Sequence, residues 1–164
     1  KLRNSKKIDT KELVRIVDAC KPMKKKIHKA TKIFQSLRIF VNKEITELVN
    51  GLIKSTKILE KNGFILVVSF NSIEDKIVKY FFSNFSSNRS NPSRYFPEKK
   101  DINISLFDKY KNKIFKPSNS EIIKNPPSRS AKLRYAIRSK NQFIYPNELI
   151  NKFKKYLDLE NSHA

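Results

Sequence analysis

Glycine is nearly absent from this 164-residue sequence: only Gly51 and Gly63 occur, and they lie far apart along the chain. Loops that bring backbone amides up to a phosphate or a cofactor need several glycines close together. The sequence therefore contains neither a P-loop nor a dinucleotide-binding loop. Any cofactor that requires such a cradle is expected to be held by polypeptide outside this chain.

Cysteine, histidine and long apolar runs are scarce as well. Cys20 is the single cysteine, so it cannot form an internal disulfide, as is usual in a reducing cytosol. The two histidines, His28 and His163, do not have metal-ligand spacing with Cys20. No run approaches the roughly 18 apolar residues of a membrane span. These absences predict a soluble, cytoplasmic protein with neither a metal site nor membrane contact.

Positive charge is abundant: 36 Lys and Arg against 15 Asp and Glu give a net charge of +21. Such a charge attracts polyanions, of which nucleic acids are the commonest. An A+T-rich coding sequence would also enrich Lys, Asn, Ile and Phe, so the charge has an explanation that needs no partner. Both explanations stay open on composition alone.

A strand, a polar turn and a helix follow one another from Gly63 onward. The apolar run Phe64–Phe70 predicts a strand buried on both faces, as in a parallel sheet. Ser72 is a candidate N-cap with Asp75 as its capping-box partner, and helical spacing of apolar residues continues to position 85. Ligands of open α/β sheets bind at the carboxyl ends of strands, so residues 69–75 are the first candidate site.

The remaining pattern is mostly helical. Helices are predicted at about 10–19, 31–41, 43–59, 119–124 and 146–157, and strands at 113–115 and 130–138. In the last strand Lys132, Arg134, Ala136 and Arg138 share one side. Residues 83–112 read as a long loop, either an RNA-contacting arm, because basic and aromatic residues alternate there, or a variable surface excursion.

Three stretches resemble one family in sequence order. Phe70-Asn-Ser-Ile-Glu-Asp-Lys is similar to Phe-His-Ser-Leu-Glu-Asp-Arg of the RsmH (MraW) family. Ile27-His-Lys-Ala-Thr-Lys-Ile-Phe-Gln-Ser-Leu-Arg and Asn125-Pro-Pro-Ser-Arg-Ser-Ala-Lys-Leu-Arg resemble two further family motifs. The resemblance covers about residues 8–138. Asn71 stands where the family has histidine, and Lys29 and Lys32 replace its proline and arginine.

The resemblance implies an S-adenosylmethionine-dependent enzyme that methylates the exocyclic N4 amine of a cytosine in 16S rRNA of the small ribosomal subunit. The implied fold is α/β: the C-terminal part of a Rossmann-like methyltransferase sheet with flanking helices, plus the end of a helical insertion. Residues 1–22 would be the end of that insertion and 23–164 the methyltransferase part. The sequence starts at Lys1 and has Met23 as its only methionine, so either a natural start is missing or the chain was processed. By the resemblance we expect a fragment that is inactive alone, because the glycine-rich loop is missing, with S-adenosylmethionine bound mainly by the absent N-terminal half.

Several residues are candidates for the acceptor pocket. Asn71, Ser72 and Glu74 are the candidate catalytic residues, because an amide, a hydroxyl and a carboxylate can orient the target amine. The alternative for Glu74 and Asp75 is purely structural, since acids in a first helical turn favour the helix dipole. The candidate RNA-binding residues are Phe70, for its ring face, and the basic residues Lys32, Arg38, Arg129, Lys132 and Arg134, with Arg138 and Lys140 beside them. The runner-up function is a non-enzymatic basic RNA-binding or ribosome-associated protein.

Overall fold

The computed structural model describes residues 9–20, 29–88 and 105–162. The helices are α1 Thr10–Cys20, α2 Lys29–Val41, α3 Glu44–Ile58, α4 Ser72–Asn84, α5 Asn119–Lys124 and α6 Asn147–Asn161; the strands are β1 Phe64–Ser69 and β2 Lys132–Ile137; a 3₁₀ helix spans Pro126–Ser130. Two compact units are present, Lys1–Glu44 and Ile45–Ala164. The predicted domain boundary near residue 22 stays a prediction. No helix in the described ranges is long and apolar enough to cross a membrane.

The first unit packs α1 against α2. The α1 helix begins as predicted, with the backbone N–H of Glu12 donating to Asp9 Oδ1 at 2.7 Å. Apolar spacing predicts that Val17 and Cys20 share a buried face of α1, which is only partly right, because Val17 is buried while Cys20 is exposed. The same spacing predicts that Leu37 and Val41 of α2 face a core, which is wrong: these side chains are 43% and 72% exposed.

The second unit contains an antiparallel sheet of two strands, in which β1 pairs with β2 from Phe64↔Ile137 to Ser69↔Lys132. The strand prediction for β1 is confirmed, but the prediction that it is buried on both faces in a parallel sheet is wrong. Its burial alternates, with Ile65 and Ser69 inside and Phe64, Leu66 and Val68 outside. The reason is that α4 packs on one face of the sheet only.

The outer side of the sheet, which we call the open face, is apolar on both strands. Directly paired residues of an antiparallel sheet lie on the same face, so each exposed β1 side chain has a β2 neighbour. The open face consists of Phe64, Leu66 and Val68 of β1 with Leu133, Tyr135 and Ile137 of β2. Phe115 joins it, since its backbone exchanges two hydrogen bonds with Leu133 and its ring lies 5.9 Å from that of Tyr135.

The core is an aromatic cluster on α4. Phe81 and Phe82 are fully buried, and the ring of Phe107 meets both edge-on at 5.2 and 5.3 Å. The ring of Tyr110 meets that of Phe82 edge-on at 5.6 Å. Residues 105–112 contain no helix or strand, as predicted for a loop, but Leu106, Phe107 and Tyr110 are buried, so the prediction of a surface excursion is wrong at this end. The RNA-contacting arm stays a prediction, and positions 89–104 lie outside the described residues.

Helices α3 and α6 complete the second unit. The predicted apolar face of α3 is buried at Ile45, Val49, Leu52, Ile53 and Thr56. The α6 helix packs on α4, where Phe153 meets Tyr80 edge-on at 5.6 Å. The buried carboxylate of Glu160 accepts hydrogen bonds from the backbone N–H groups of Ile45 (3.2 Å) and Thr46 (2.8 Å). One side chain of α6 thus caps the start of α3.

Candidate functional site

The predicted site lies in the turn between β1 and α4, at the carboxyl end of β1. Ser69 is buried at the end of the strand, and the chain then emerges at the surface. Phe70 is 58% exposed, Ser72 is exposed and Asn71 is half-buried. A ring face, a hydroxyl and an amide are thus available on three consecutive residues of a short turn.

Asn71 and Glu74 form a reciprocal capping box that fixes this turn. Asn71, with extended backbone (φ −116°, ψ 164°), is the N-cap of α4. Its Oδ1 accepts hydrogen bonds from the backbone N–H groups of Ile73 (2.9 Å) and Glu74 (2.8 Å). Glu74 Oε2 accepts in return from the N–H groups of Phe70 (2.9 Å) and Asn71 (3.3 Å). The predicted pairing of Ser72 with Asp75 is wrong by one residue, because Asp75 is engaged by β2.

This box restricts what the candidate catalytic residues can do. The carbonyl oxygen of Asn71 is occupied by the cap, so its Nδ2 group is the part that remains to donate to a ligand. One carboxylate oxygen of Glu74 is occupied in the same way. Ser72, the first residue of α4, has no hydrogen bond from its hydroxyl within the described ranges. The Asn71 Nδ2 group, the Ser72 hydroxyl and the Phe70 ring can orient a nucleobase. The described residues of the turn include no strong general base for removing a proton.

A buried ionic network holds the first turn of α4 on the sheet. Arg134 Nε donates to Asp75 Oδ1 at 2.7 Å and Arg134 Nη2 to Oδ2 at 3.3 Å, while Lys132 Nζ donates to Oδ2 at 3.1 Å. Arg134 Nη1 donates to Tyr110 Oη and to Asn112 Oδ1, both at 2.9 Å. Each of the three guanidinium nitrogens of Arg134 thus donates at least one hydrogen bond, and the bidentate contact with Asp75 holds the first turn of α4 against β2.

The pKa shifts follow from this packing. Burial raises the pKa of the Asp75 carboxyl, but the hydrogen bonds and charges of Arg134 and Lys132 outweigh burial and place that pKa below its ordinary value. Burial lowers the pKa of Arg134, and its bonds to Asp75 and Tyr110 reverse the sign, so the guanidinium stays charged. Burial raises the pKa of the Tyr110 phenol. The network is ionic at neutral pH.

The predicted exposed basic face of β2 is largely wrong. Arg134 and Arg138 are 2% and 5% exposed, because their side of the strand is the one that α4 and the 105–112 segment cover. Arg138 donates to the carbonyl oxygens of Thr56, Leu106 and Asn141 among its partners, and burial lowers its pKa. Of the predicted cluster, the residues that reach solvent are Arg129 and Lys140, with Lys132 partly exposed.

Two candidate RNA-binding residues belong to the first unit. Lys32 is exposed on α2. Arg38, near the end of the same helix, donates through Nε (2.8 Å) and Nη2 (3.2 Å) to the two carboxylate oxygens of Glu44. Its side chain is still 59% exposed, so this pair is a surface ion pair that a phosphate can replace at little cost.

Neither of the two glycines belongs to a glycine-rich loop in the described part of the chain. Gly51 lies within α3, and neither glycine has a positive φ. Gly63 serves packing, since an added Cβ would lie 2.7 Å from the Leu59 side chain. No group of three or more possible metal ligands occurs within the described part of the chain.

Sequence reasoning missed the network beneath the turn. It treated Asp75 as a helix-dipole residue and Arg134 as a surface cation, and it did not connect Tyr110 or Asn112 with either. The available signal was β2 itself: when one face of a strand is Leu, Tyr and Ile and the other carries arginines, burial of the basic face requires an acid from another element.

Comparison with known proteins agrees with the motifs. A model of the MraW methylase family matches residues 1–139. The ribosomal RNA small subunit methyltransferase H of Bartonella bacilliformis is 46% identical over 70% of this chain and 34% of the relative. The enzymes of the same name from Bartonella grahamii and Dinoroseobacter shibae are 47% and 42% identical, over 73% and 79% of this chain and 35% and 39% of the relatives. The chain thus spans well under half the length of these relatives, and it belongs to the MraW methylase family.

Proposed function

We propose that this chain is the acceptor-side, C-terminal part of an enzyme that transfers a methyl group from S-adenosylmethionine to the exocyclic N4 amine of a cytosine in 16S rRNA. Membership of a methylase family and relatives named ribosomal RNA small subunit methyltransferase H support methyl transfer to rRNA. The choice of the cytosine amine comes from the resemblance of the Phe70–Lys76 stretch to the family motif.

The observation that carries the proposal is the rigid turn at the carboxyl end of β1. A cytosine amine is a weak nucleophile because its lone pair is delocalised into the ring, so transfer depends on positioning more than on a strong base. Phe70 offers a ring on which a base that has left its stack can lie. The Asn71 amide donates to an acceptor on the base edge, and the Ser72 hydroxyl accepts from the amine hydrogens. Glu74 and Asp75 are positioning residues.

We assign the binding of the methyl donor to the part of the relatives that this chain does not cover. The described residues lack a glycine-rich loop, so no step through the cofactor is derived from them. For the same reason, we propose that the isolated chain does not catalyse methyl transfer.

The test uses a chimera in which this chain replaces the segment that it matches in the Bartonella grahamii relative. Transfer of radioactive methyl to unmethylated small ribosomal subunits is measured for the chimera and its variants. Ser72→Ala and Asn71→Asp are expected to lower the methylation rate by roughly tenfold or more, because each removes one orienting hydrogen bond. Ser55→Ala, which changes an exposed serine on α3, is the matched control and should leave the rate unchanged.

The runner-up, a non-enzymatic RNA-binding protein, makes the opposite prediction. A chimera that binds small subunits but neither binds S-adenosylmethionine nor transfers methyl would favour it. Equal methylation rates of the wild-type, Ser72→Ala and Asn71→Asp chimeras would be consistent with an enzyme but would show that the Phe70–Ser72 turn is not part of its active site.

A further inference from the structure

The side of α6 that adjoins α4 carries cations and aromatic rings. Lys152 Nζ lies 5.9 Å from the centre of the Tyr80 ring of α4. Tyr156 is one turn further along α6 and shares that side of the helix, because residues four apart are neighbours on a helix surface. Lys155 of α6 and Lys76, one turn before Tyr80 on α4, are exposed as well. We define the α4–α6 surface as Lys76, Tyr80, Lys152, Lys155 and Tyr156.

The α4–α6 surface extends toward the candidate site. Two contacts step backward along α4 as α6 proceeds: Glu148 accepts a hydrogen bond from Asn84 Nδ2 at 2.6 Å, and Lys152 lies over Tyr80, one turn earlier on α4. The α6 helix therefore runs antiparallel to α4, and its later residues lie toward the first turn of α4. That turn begins at Ser72, the proposed acceptor hydroxyl.

The lysines of this surface are not neutralised by neighbouring acids. Within the described ranges no ion pair involves Lys76, Lys152 or Lys155. The exposed acids of α6 are Glu148, which is held by α4, and Asp158, which lies roughly 120° around the helix from Lys152. The surface is therefore positive, and phosphate groups would supply the counter-charge.

The aromatic rings favour RNA over other polyanions. Tyr156 is 38% exposed and stands among the lysines of α6. A groove or surface that combines cations with exposed rings suits single-stranded nucleic acid, because phosphates pair with the cations while bases stack on the rings. The α6 helix begins after residue 139, the last residue that the family model matches. Lys152, Lys155 and Tyr156 thus lie outside the matched segment.

We propose that the α4–α6 surface is an additional RNA-binding surface, which holds small-subunit RNA beside the acceptor turn. Lys76, Lys152 and Lys155 contact phosphates, and an unpaired base stacks on Tyr156. The identity of the RNA rests on the proposed function. An acidic protein is a poorer occupant, because its carboxylates would pair with the lysines but leave the exposed ring without a stacking partner.

The first experiment titrates the isolated chain with unmethylated small ribosomal subunits at several salt concentrations. The double variant Lys152→Gln/Lys155→Gln should reduce the salt slope by about 1.5, because it removes two phosphate contacts. Lys54→Gln/Lys57→Gln has the same spacing on the exposed side of α3; it is the matched control and should leave the slope unchanged. In the wild type, bound subunits should slow acetylation of Lys152 and Lys155 but not of Lys54 and Lys57.

The second experiment separates stacking from charge. Tyr156→Ala should weaken binding to small subunits at least about fivefold at fixed salt without changing the slope, and Tyr156→Phe, which keeps the ring, should bind as the wild type does. Binding of inorganic polyphosphate, which has no bases, should be equal in all three proteins.

The proposal is overturned if the two double variants change the slope equally, or if Tyr156→Ala binds small subunits as tightly as the wild type. It is overturned as well if the α6 double variant loses affinity for polyglutamate but not for small subunits, which would assign the surface to an acidic protein. These binding measurements need no catalysis. A surface that behaves as expected in a chimera that fails to methylate would uphold this inference and reject the proposed function. In an active chimera, an unchanged KM for small subunits in the α6 double variant would do the reverse.

Discussion

Asn71 has two separable parts, and a substitution can remove one and keep the other. Its Oδ1 caps α4, while its Nδ2 is the group proposed to meet the base. Asn71→Ala removes both and should lower the free energy of unfolding by about 1 kcal/mol, the usual value of an N-cap. Asn71→Asp keeps the acceptor, so urea unfolding should show near wild-type stability. Equal destabilisation by both variants would mean that the cap does not depend on the acceptor oxygen.

Asp75 is expected to be the most costly single change near the site. Asp75→Asn leaves the buried guanidinium of Arg134 without its counter-charge, and the loss of stability should be roughly 3 kcal/mol. Asp108→Asn changes an exposed aspartate of the same unit and should be neutral. Urea unfolding at pH 7 measures both. If Asp75→Asn lowers the free energy of unfolding no more than the control does, the ion pairs of Asp75 do not stabilise the turn.

The same carboxylate predicts a pH dependence with a definite sign. The pKa of Asp75 is lower in the folded protein than in the unfolded chain, so the folded state binds fewer protons. Its contribution to stability is complete above the unfolded pKa, about 3.9, and is lost as the pH falls through the folded pKa.

The free energy of unfolding should therefore fall more steeply in the wild type than in Asp75→Asn below about pH 4. Urea unfolding curves between neutral and acidic pH give the two slopes. Parallel curves for wild type and variant would contradict the assigned shift.

The sequence pattern predicted well which helices exist and where they begin and end. The α3, α5 and α6 helices begin within two residues of the expected positions. In α3 and α6 the signal is the periodic spacing of apolar residues, and in α5 it is a polar N-cap. Ser118 and Asn119 were both candidates for the start of α5, and Ser118 is the N-cap, with its Oγ accepting from the backbone N–H of Glu121 at 3.2 Å. Local chemistry decides such features, so local sequence suffices.

The environment of the strands could not be predicted from local sequence. The run Phe64–Val68 has the same apolar composition whether one face or both are covered, and only the position of α4 decides which. The alternation in β2 was recognised, but its direction was inverted, because the partners of Arg134 lie on α4 and in the 105–112 segment. A turn between β1 and α4 was predicted and is present, whereas its support by Arg134, Tyr110 and Asn112, which are distant in sequence, was not predicted.

The contact between α6 and α3 gives a prediction about whole elements. Glu160→Gln removes the charge that faces the first amides of α3 and weakens three hydrogen bonds, one of them from Thr46 Oγ1 at 2.7 Å. Stability should fall by about 1–2 kcal/mol. Asp158→Asn, on the exposed side of α6, is the control. If amide hydrogen exchange at the start of α3 is faster in Glu160→Gln alone, the loss of stability comes from the lost cap. Equal exchange rates in both variants would contradict this prediction.

A net charge of +21 favours binding to a polyanion, and the placement of the surface cations decides where a polyanion would bind. The logarithm of the binding constant for small ribosomal subunits should fall linearly with the logarithm of the salt concentration, because each contact with a phosphate releases counterions. Arg129 and Lys140 are both exposed but flank opposite ends of β2, with Arg129 on the side of the Phe70 turn. If RNA approaches that turn, Arg129→Gln should reduce the salt slope by about 1 and Lys140→Gln should not.

Titrations of the isolated chain with small subunits at several salt concentrations give these slopes without requiring catalysis. Equal reductions in the two variants would mean that binding follows total charge, since neither end of β2 would then be favoured. A reduction confined to Lys140→Gln would move the RNA to the end of the strand that is remote from Phe70. In that case the turn would lie away from the bound nucleic acid, and Ser72 and Asn71 would lose their proposed contact with the base.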